Sequence, residues 1–263
     1  MNLLFIGDIV GSGGRQAVKS LVPELRREFN AQFVIANAEN AAAGCGVTGR
    51  CLKEMEGAVD VFTSGDHAWD QKTFEQEVRS IDNFLRPANF SNRQPGRGYG
   101  VFRNPGGGDV AVINLLGKVF MRESAYCPFE TVERILGELP PTAKTVIVDF
   151  HAEATSEKLA MGYFLEGKVT AVLGTHTHVP TADAAILPGG TATQTDVGMV
   201  GAARSVLGRE VSDVLQKFTI GMPCRLGVVE NGAIRLDAVV VTYDHVTGRA
   251  QKIRSFSREI EIQ

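Results

Sequence analysis

The chain has 263 residues, 44% of them hydrophobic and 22% charged, an ordinary globular balance with ample length to bury a core. A net charge of −3 argues against a broadly basic surface for nucleic acid. The opening MNLLFIGDIVGSGG is a short apolar run broken by Asp8, too short for a membrane span and unlike a secretion signal, so a soluble cytoplasmic protein is expected.

Along the chain, short apolar runs of β character alternate with segments of helical spacing. NLLFI opens the series. The next segment, GRQAVKSLVPELRREF, carries Ala17, Val18, Leu21, Leu25 and Phe29 on one stripe, with Pro23 predicting a kink or a boundary. The GSGG preceding it reads as a tight loop able to offer backbone N–H groups to an anion. QFVIA follows, then TGRCLKEMEGA with Thr48 as N-cap, VFTS, and DQKTFEQEV with Asp70 as N-cap. VAVINL and TVIVDF are further strands, TSEKLAMGYF a helix, VTAVL a strand and GREVSDVLQKF a helix. In the tail, Asn231-Gly232 and Thr247-Gly248 separate β-rich runs and predict hairpins. No linker or repeat divides the sequence, so one domain over 1–263 is expected, a mixed α/β body with antiparallel strands near its end.

The polar residues that leave the strands form a set. Ligands in open α/β sheets gather beyond the carboxyl ends of strands. Those exits carry Asp8, Glu39 and Asn40, Asp66 and His67, His151, and the pair His176 and His178. Four of the five histidines are in this set; only His245, in the last hairpin turn, is not. In extended backbone His176 and His178 would point the same way, about 6–7 Å apart, a spacing suited to two neighbouring ions. Taken singly, an Asp after a strand is usually a turn residue and a His usually a hydrogen-bonding one. Together they suit a dinuclear site of nitrogen and oxygen donors for manganese, iron or zinc, with Glu39 able to bridge. The four cysteines lack zinc-type spacing and are expected to be free thiols outside this set.

Seven blocks, GDIVG, NAENAAAGCGVT, SGDHAWD, RPANF, DFHAEATSEKLAMG, GTHTHVPTAD and TDVGMVG, run in this order over most of the chain. Together they resemble the YmdB-like family of metallophosphoesterases, a branch of the calcineurin-like phosphoesterase superfamily. The resemblance implies a four-layer sandwich, two mixed β-sheets flanked by helices. It also implies two divalent metal ions, iron or manganese with zinc as an alternative, and phosphodiesterase action on 2′,3′-cyclic nucleotides. By matching position, Asp8, Asn40 and His178 would hold the first ion, Glu39 would bridge, and Asp66, His151 and His176 would hold the second. A bridging hydroxide would attack phosphorus in line, while His67 assists the leaving oxygen as acid or electrostatic stabiliser. Two departures stand out: Val10 replaces the histidine common at the first exit, leaving that coordination to Asn40, and Asp66 replaces the usual Asn. The extra charge of Asp66 is expected to weaken the Lewis acidity of the second ion.

Weaker signals sit nearby. Arg86 or Asn89 in RPAN is either a substrate contact or plain loop, Lys158 either reaches phosphate or lies on a solvated face, and Thr195-Asp196 would support the histidines from behind. Rival functions are a phosphomonoesterase, 5′-nucleotidase or nuclease with the same metals, or a metal- or nucleotide-binding regulator with little turnover. The partner expected is a small phosphodiester or nucleotide, with neither nucleic-acid surface nor membrane, and a second copy of the chain in a homo-oligomer is a further expectation.

Overall fold

The computed structural model describes residues 1–263. β1 (Asn2–Ile6) and the two-residue β2 (Asp8–Ile9) lead into α1 (Gly11–Glu28). β3 (Ala31–Asn37), α2 (Gly49–Glu54), β4 (Val61–Thr63) and the single turn α3 (Phe74–Glu77) follow. Next come β5 (Tyr99–Arg103), β6 (Asp109–Leu116), α4 (Pro128–Glu138), β7 (Thr145–His151), α5 (Thr155–Phe164) and β8 (Ala171–Thr175). Three short strands, β9 (Ala185–Ile186), β10 (Ala192–Gln194) and β11 (Met199–Ala202), precede α6 (Val211–Ile220). The chain closes on the long hairpin of β12 (Gly232–Tyr243) and β13 (Ala250–Ile262).

These strands build two mixed sheets. One has the order β2-β11-β12-β1-β3-β4, with β13 on β12; the other runs β5-β6-β7-β8-β10-β9. Period-2 alternation decides the layering. In β1, Leu3 and Phe5 enter the core between the sheets, where they meet Val110, Val112, Ile147 and Leu173, while Leu4 and Ile6 face Val18, Val22 and Leu25 of α1. On the second sheet's outer face, Ala111 and Ile113 of β6 pack with Val132 and Ile135 of α4 and Met161 of α5. Helix, sheet, sheet, helix: the four-layer α/β arrangement is the one expected. β1, β3 and β4 run parallel, as do β6, β7 and β8, so the carboxyl ends of each set gather along one edge of its sheet.

Several local expectations are corrected. α1 continues past Pro23, so the proline marks no boundary; Pro23 and Lys19 are both exposed, so the carbonyl that loses its helical partner can turn to water. GSGG is the first turn of α1 rather than a loop before it. A Cβ at Gly13 or Gly14 would collide with the backbone carbonyl of Glu230 or Val200, so small residues are needed for the helix to sit on the sheet. Asn231-Gly232 forms no hairpin: the segment before β12 is irregular, and only Thr247-Gly248 lies in a true strand–strand turn. α4 begins at Pro128 with proline in its first turn and buries Val132 and Ile135, a helix the apolar-run pattern missed. No helix is long and apolar enough to cross a membrane.

Candidate metal and phosphate site

Asp8 opens β2, just beyond the end of β1, and is fully buried. Its Oδ2 accepts from the His176 backbone N–H at 3.1 Å, whereas Oδ1 is buried with no partner, 3.8 Å from His151 Nδ1 and 3.9 Å from His178 Nε2. Burial pushes the Asp8 carboxyl well above its usual range. Glu39, also buried, is held where β3 ends: its N–H donates to Asn37 Oδ1 at 3.0 Å. Glu39 Oε1 lies 3.1 Å from His151 Nε2 and accepts from Asn40 Nδ2 at 3.0 Å, so one carboxylate touches both halves of the site. On the Asn40 side, His178 Nε2 is 3.2 Å away. Burial lowers the His178 pKa to about 4, so its imidazole is neutral and keeps a lone pair at neutral pH.

The other half is built around His151 at the end of β7. Thr175 Oγ1 donates to Asp149 Oδ1 at 2.7 Å and lies 2.8 Å from His151 Nδ1, which therefore carries the proton. Thr63 and Asn37 also donate to Asp149, whose carboxyl burial pushes up to about 6. With Nδ1 committed, His151 Nε2 faces Glu39 Oε1, Asp66 Oδ1 at 3.0 Å and His176 Nδ1 at 3.0 Å. Four donor atoms from Glu39, Asp66, His151 and His176 lie within 4.8 Å of one another. Burial opposes an imidazolium at His151, yet the Glu39 charge and the bonds to Asp66 and Glu39 hold its pKa well above the usual value. Two carboxylates and two imidazoles converging on one buried point favour positive charge there, whether a proton on His151 or a metal ion in its place.

His176 and His178 divide between the two halves, but not by extended backbone. Both lie in the left-handed region, φ 101° and φ 64°, so the chain after β8 turns rather than runs on. Asp196 fastens that turn, since its Oδ2 accepts from the Thr177 N–H at 3.0 Å and from Thr177 Oγ1 at 2.7 Å. Lys158 does not lie on a solvated face; its Nζ donates to the same Asp196 oxygen at 2.9 Å in a buried pair. Arg86 and Asn89 are also structural. Arg86 donates to the carbonyls of Pro87 and Pro95, and Asn89 ties Leu116 to Tyr126.

His67 Nε2 faces Asp66 Oδ2 at 3.7 Å, and its Nδ1 lies 2.8 Å from Asp70 Oδ2. Asp70 therefore does not cap α3, whose preceding residue Thr73 makes no side-chain cap, but orients the His67 ring. Cys45 Sγ is 3.3 Å from the same Nδ1, so a thiol does reach the edge of the set. All four cysteines are free. The hydrogen bond to Cys45, against the pull of burial and with the charges of Glu39 and Asp66, raises the His67 pKa to about 10. Sequence reasoning missed Asp70, Cys45, Asp149, Thr175, and Glu153, whose Oε2 lies 3.0 Å from His176 Nε2. The three-residue step from His67 to Asp70 was the one local signal available for Asp70. The site opens into a cavity of about 400 Å³ lined by Glu39, Asn40, His67, His176 and His178 and by the apolar Leu207, Phe218 and Leu226.

Comparison with known proteins gives a consistent set. The family model described as YmdB-like protein matches residues 4–256. A Bacillus subtilis (strain 168) protein named 2′,3′-cyclic-nucleotide 2′-phosphodiesterase is 42% identical over 254 residues, covering 96% of this chain and 95% of that protein. A solved structure of a hypothetical protein from Thermus thermophilus superposes with TM-score 0.91 at 38% identity, covering 98% of this chain and 99% of that one. A structure of a novel phosphatase from Mycoplasma pneumoniae superposes with TM-score 0.92 at 32% identity, covering 100% and 94%.

Proposed function

This chain belongs to the YmdB-like family and is a phosphoric ester hydrolase, and from that premise we propose that it opens 2′,3′-cyclic nucleotides with the help of two divalent metal ions. The observation that carries the metal requirement is the meeting of acceptors at His151 Nε2, with Glu39, Asp66 and His176 all within about 3 Å, beside the unpartnered Oδ1 of Asp8. Asp8, Asn40 and His178 would hold one ion, and Asp66, His151 and His176 the other. Glu39 would serve both, because it already touches the Asn40 and His151 sides. A donor set of nitrogen and oxygen suits iron or manganese, with zinc as the alternative. Bound there, the ions would offset the charge on the phosphate oxygens and acidify water.

The remaining work belongs to the protein. The Asp149–Thr175–His151 chain fixes the His151 tautomer so that Nε2 faces the site. Asp196, held by Lys158, pins the Thr177 turn and so aims the two flanking imidazoles apart. His67 holds its proton on a ring whose Nε2 looks toward Asp66, positioned to deliver that proton to the departing ribose oxygen. The similarity to a 2′-phosphodiesterase supports breakage at the 2′ ester, leaving a 3′-phosphate. The cavity has the size of a small-molecule site.

The test is hydrolysis of 2′,3′-cyclic AMP by manganese-loaded protein, with the product identified and a chelator control. The expected outcome is 3′-AMP alone, with formation stopped by the chelator. Protein with two ions bound that leaves the cyclic ester intact while cleaving 5′-AMP would overturn the substrate assignment in favour of a monoesterase.

A further inference from the structure

Around Nδ1 of the His67 ring lies a second group of donors that shares no residue with the seven expected ligands. Cys45 Sγ is 3.3 Å from His67 Nδ1 and 2.6 Å from Asp70 Oδ2, and that oxygen is 2.8 Å from the same nitrogen. One sulfur, one nitrogen and one oxygen, all within 4.8 Å, form a closed triangle. The loops that carry them are fastened together: Gln71 Nε2 donates to the Cys45 carbonyl at 2.8 Å, and the Ala42 N–H donates to the Gly46 carbonyl at 2.9 Å to close the Cys45 turn. The donors are therefore brought together by the scaffold, not by chance proximity of long side chains.

We propose that Cys45, His67 Nδ1 and Asp70 form a third cation site, selective for a soft divalent ion such as zinc. The thiol is what separates it chemically from the nitrogen and oxygen donors of the candidate dinuclear centre, because sulfur favours zinc over manganese or magnesium. Zinc bonds of about 2.3 Å to sulfur and about 2.0–2.1 Å to nitrogen or oxygen place tetrahedral ligands roughly 3.3–3.6 Å apart. The observed triangle is tighter, as suits donors gathered around protons: the edges that meet at Asp70 Oδ2 are 2.6 Å and 2.8 Å, so an ion needs the exposed Asp70 carboxylate to swing outward by roughly 0.5–1 Å. Its entry displaces the Cys45 thiol proton and any proton on His67 Nδ1, both released to solvent. Cys45 is half-buried and Asp70 exposed, which leaves a fourth position open to water. His67 Nε2 stays on the Asp66 side, so the ion would clamp the ring from behind and make its position depend on zinc supply.

Cobalt(II) tests this without relying on activity, because only cobalt bound to a thiolate gives an intense near-ultraviolet charge-transfer band. Titration of the full chain is expected to produce that band with one equivalent per chain. It should vanish in Cys45→Ser and persist in Cys127→Ser and Cys224→Ser. Zinc should abolish the band in the wild type, and Cys45→Ser should weaken zinc binding here by at least the roughly 10–100-fold that loss of even an outer-shell partner costs. Absence of the band while a thiol reagent finds Cys45 free, or a band unchanged in Cys45→Ser, overturns the proposal. Cobalt-supported hydrolysis without the band would leave the phosphodiesterase reading standing and remove the third site. The band without hydrolysis would do the reverse.

Discussion

His67 shows how the charge state of a single side chain is set by what surrounds it. The bond to Cys45 and the charges of Glu39 and Asp66 raise its pKa to about 10, so it is protonated at neutral pH and loses that proton only as pH rises through about 10. If the imidazolium is the acid, turnover of a substrate with a poor leaving group falls on an alkaline limb set by His67, and that limb lies below the metal-free value of about 10 because ions held by Glu39 and Asp66 would offset the charges that hold the proton. A pH–rate profile checks this, and Asp66→Asn should move the limb downward because one of the charges holding the proton is gone. A limb that does not move would count against His67 as its source. His67→Ala is expected to slow poor-leaving-group substrates by about 10²–10⁴-fold while metal content, measured by elemental analysis, is retained. Asp8→Ala should lose metal as well as turnover. The identities of these residues were legible from strand exits, but the partnership of His67 with Asp70 was not. Asp70 looked like a helix cap because the sequence shows a polar residue before a helical pattern, while the turn that swings its carboxylate onto Nδ1 exists only after the loop folds.

Elements position the site through a few tight joints. A Cβ at Gly65, just after β4, would overlap the His151 ring and the Glu39 carboxylate. Gly65→Ala should therefore abolish metal uptake at the second half-site while circular dichroism remains native, since the clash falls on donors rather than on the core. The buried Lys158–Asp196 pair joins α5 to the turn after β8. Lys158→Met leaves an uncompensated carboxylate and should cost about 3–5 kcal/mol, read by denaturant unfolding. It should also weaken metal binding, because Asp196 holds Thr177 between the two imidazoles. Helix α2 behaves as its sequence suggests: Thr48 Oγ1 accepts from the Cys51 N–H at 3.2 Å, a cap visible from residue type and spacing. In contrast, α1 does not end at Pro23, because the side on which the proline breaks the ladder faces water.

At the level of the molecule, two sheets share one apolar layer, and the site forms where their strand ends meet. Phe5 lies fully buried in that layer, so Phe5→Ala should cost about 3–5 kcal/mol and loosen both halves of the site together, lowering metal affinity along with stability. The sequence by itself determined the long apolar strands, most of the helices and which polar residues leave those strands, because side-chain period, capping and strand termini are local properties; it did not show β2, β5, β9, β10 or β11, which are too short or too polar to stand out before their partners are in place. It also carried the family resemblance that the comparisons bear out. Only the tertiary structure decided which sheet each strand joins, as with β12, which pairs β11 through Leu236 and then β1 from Ala238 onward along a single edge. It likewise decided that His176 and His178 part company through left-handed backbone, and that Cys45 comes to rest against His67. These are contacts between segments far apart in the chain, fixed by how the layers pack, and no local pattern encodes them.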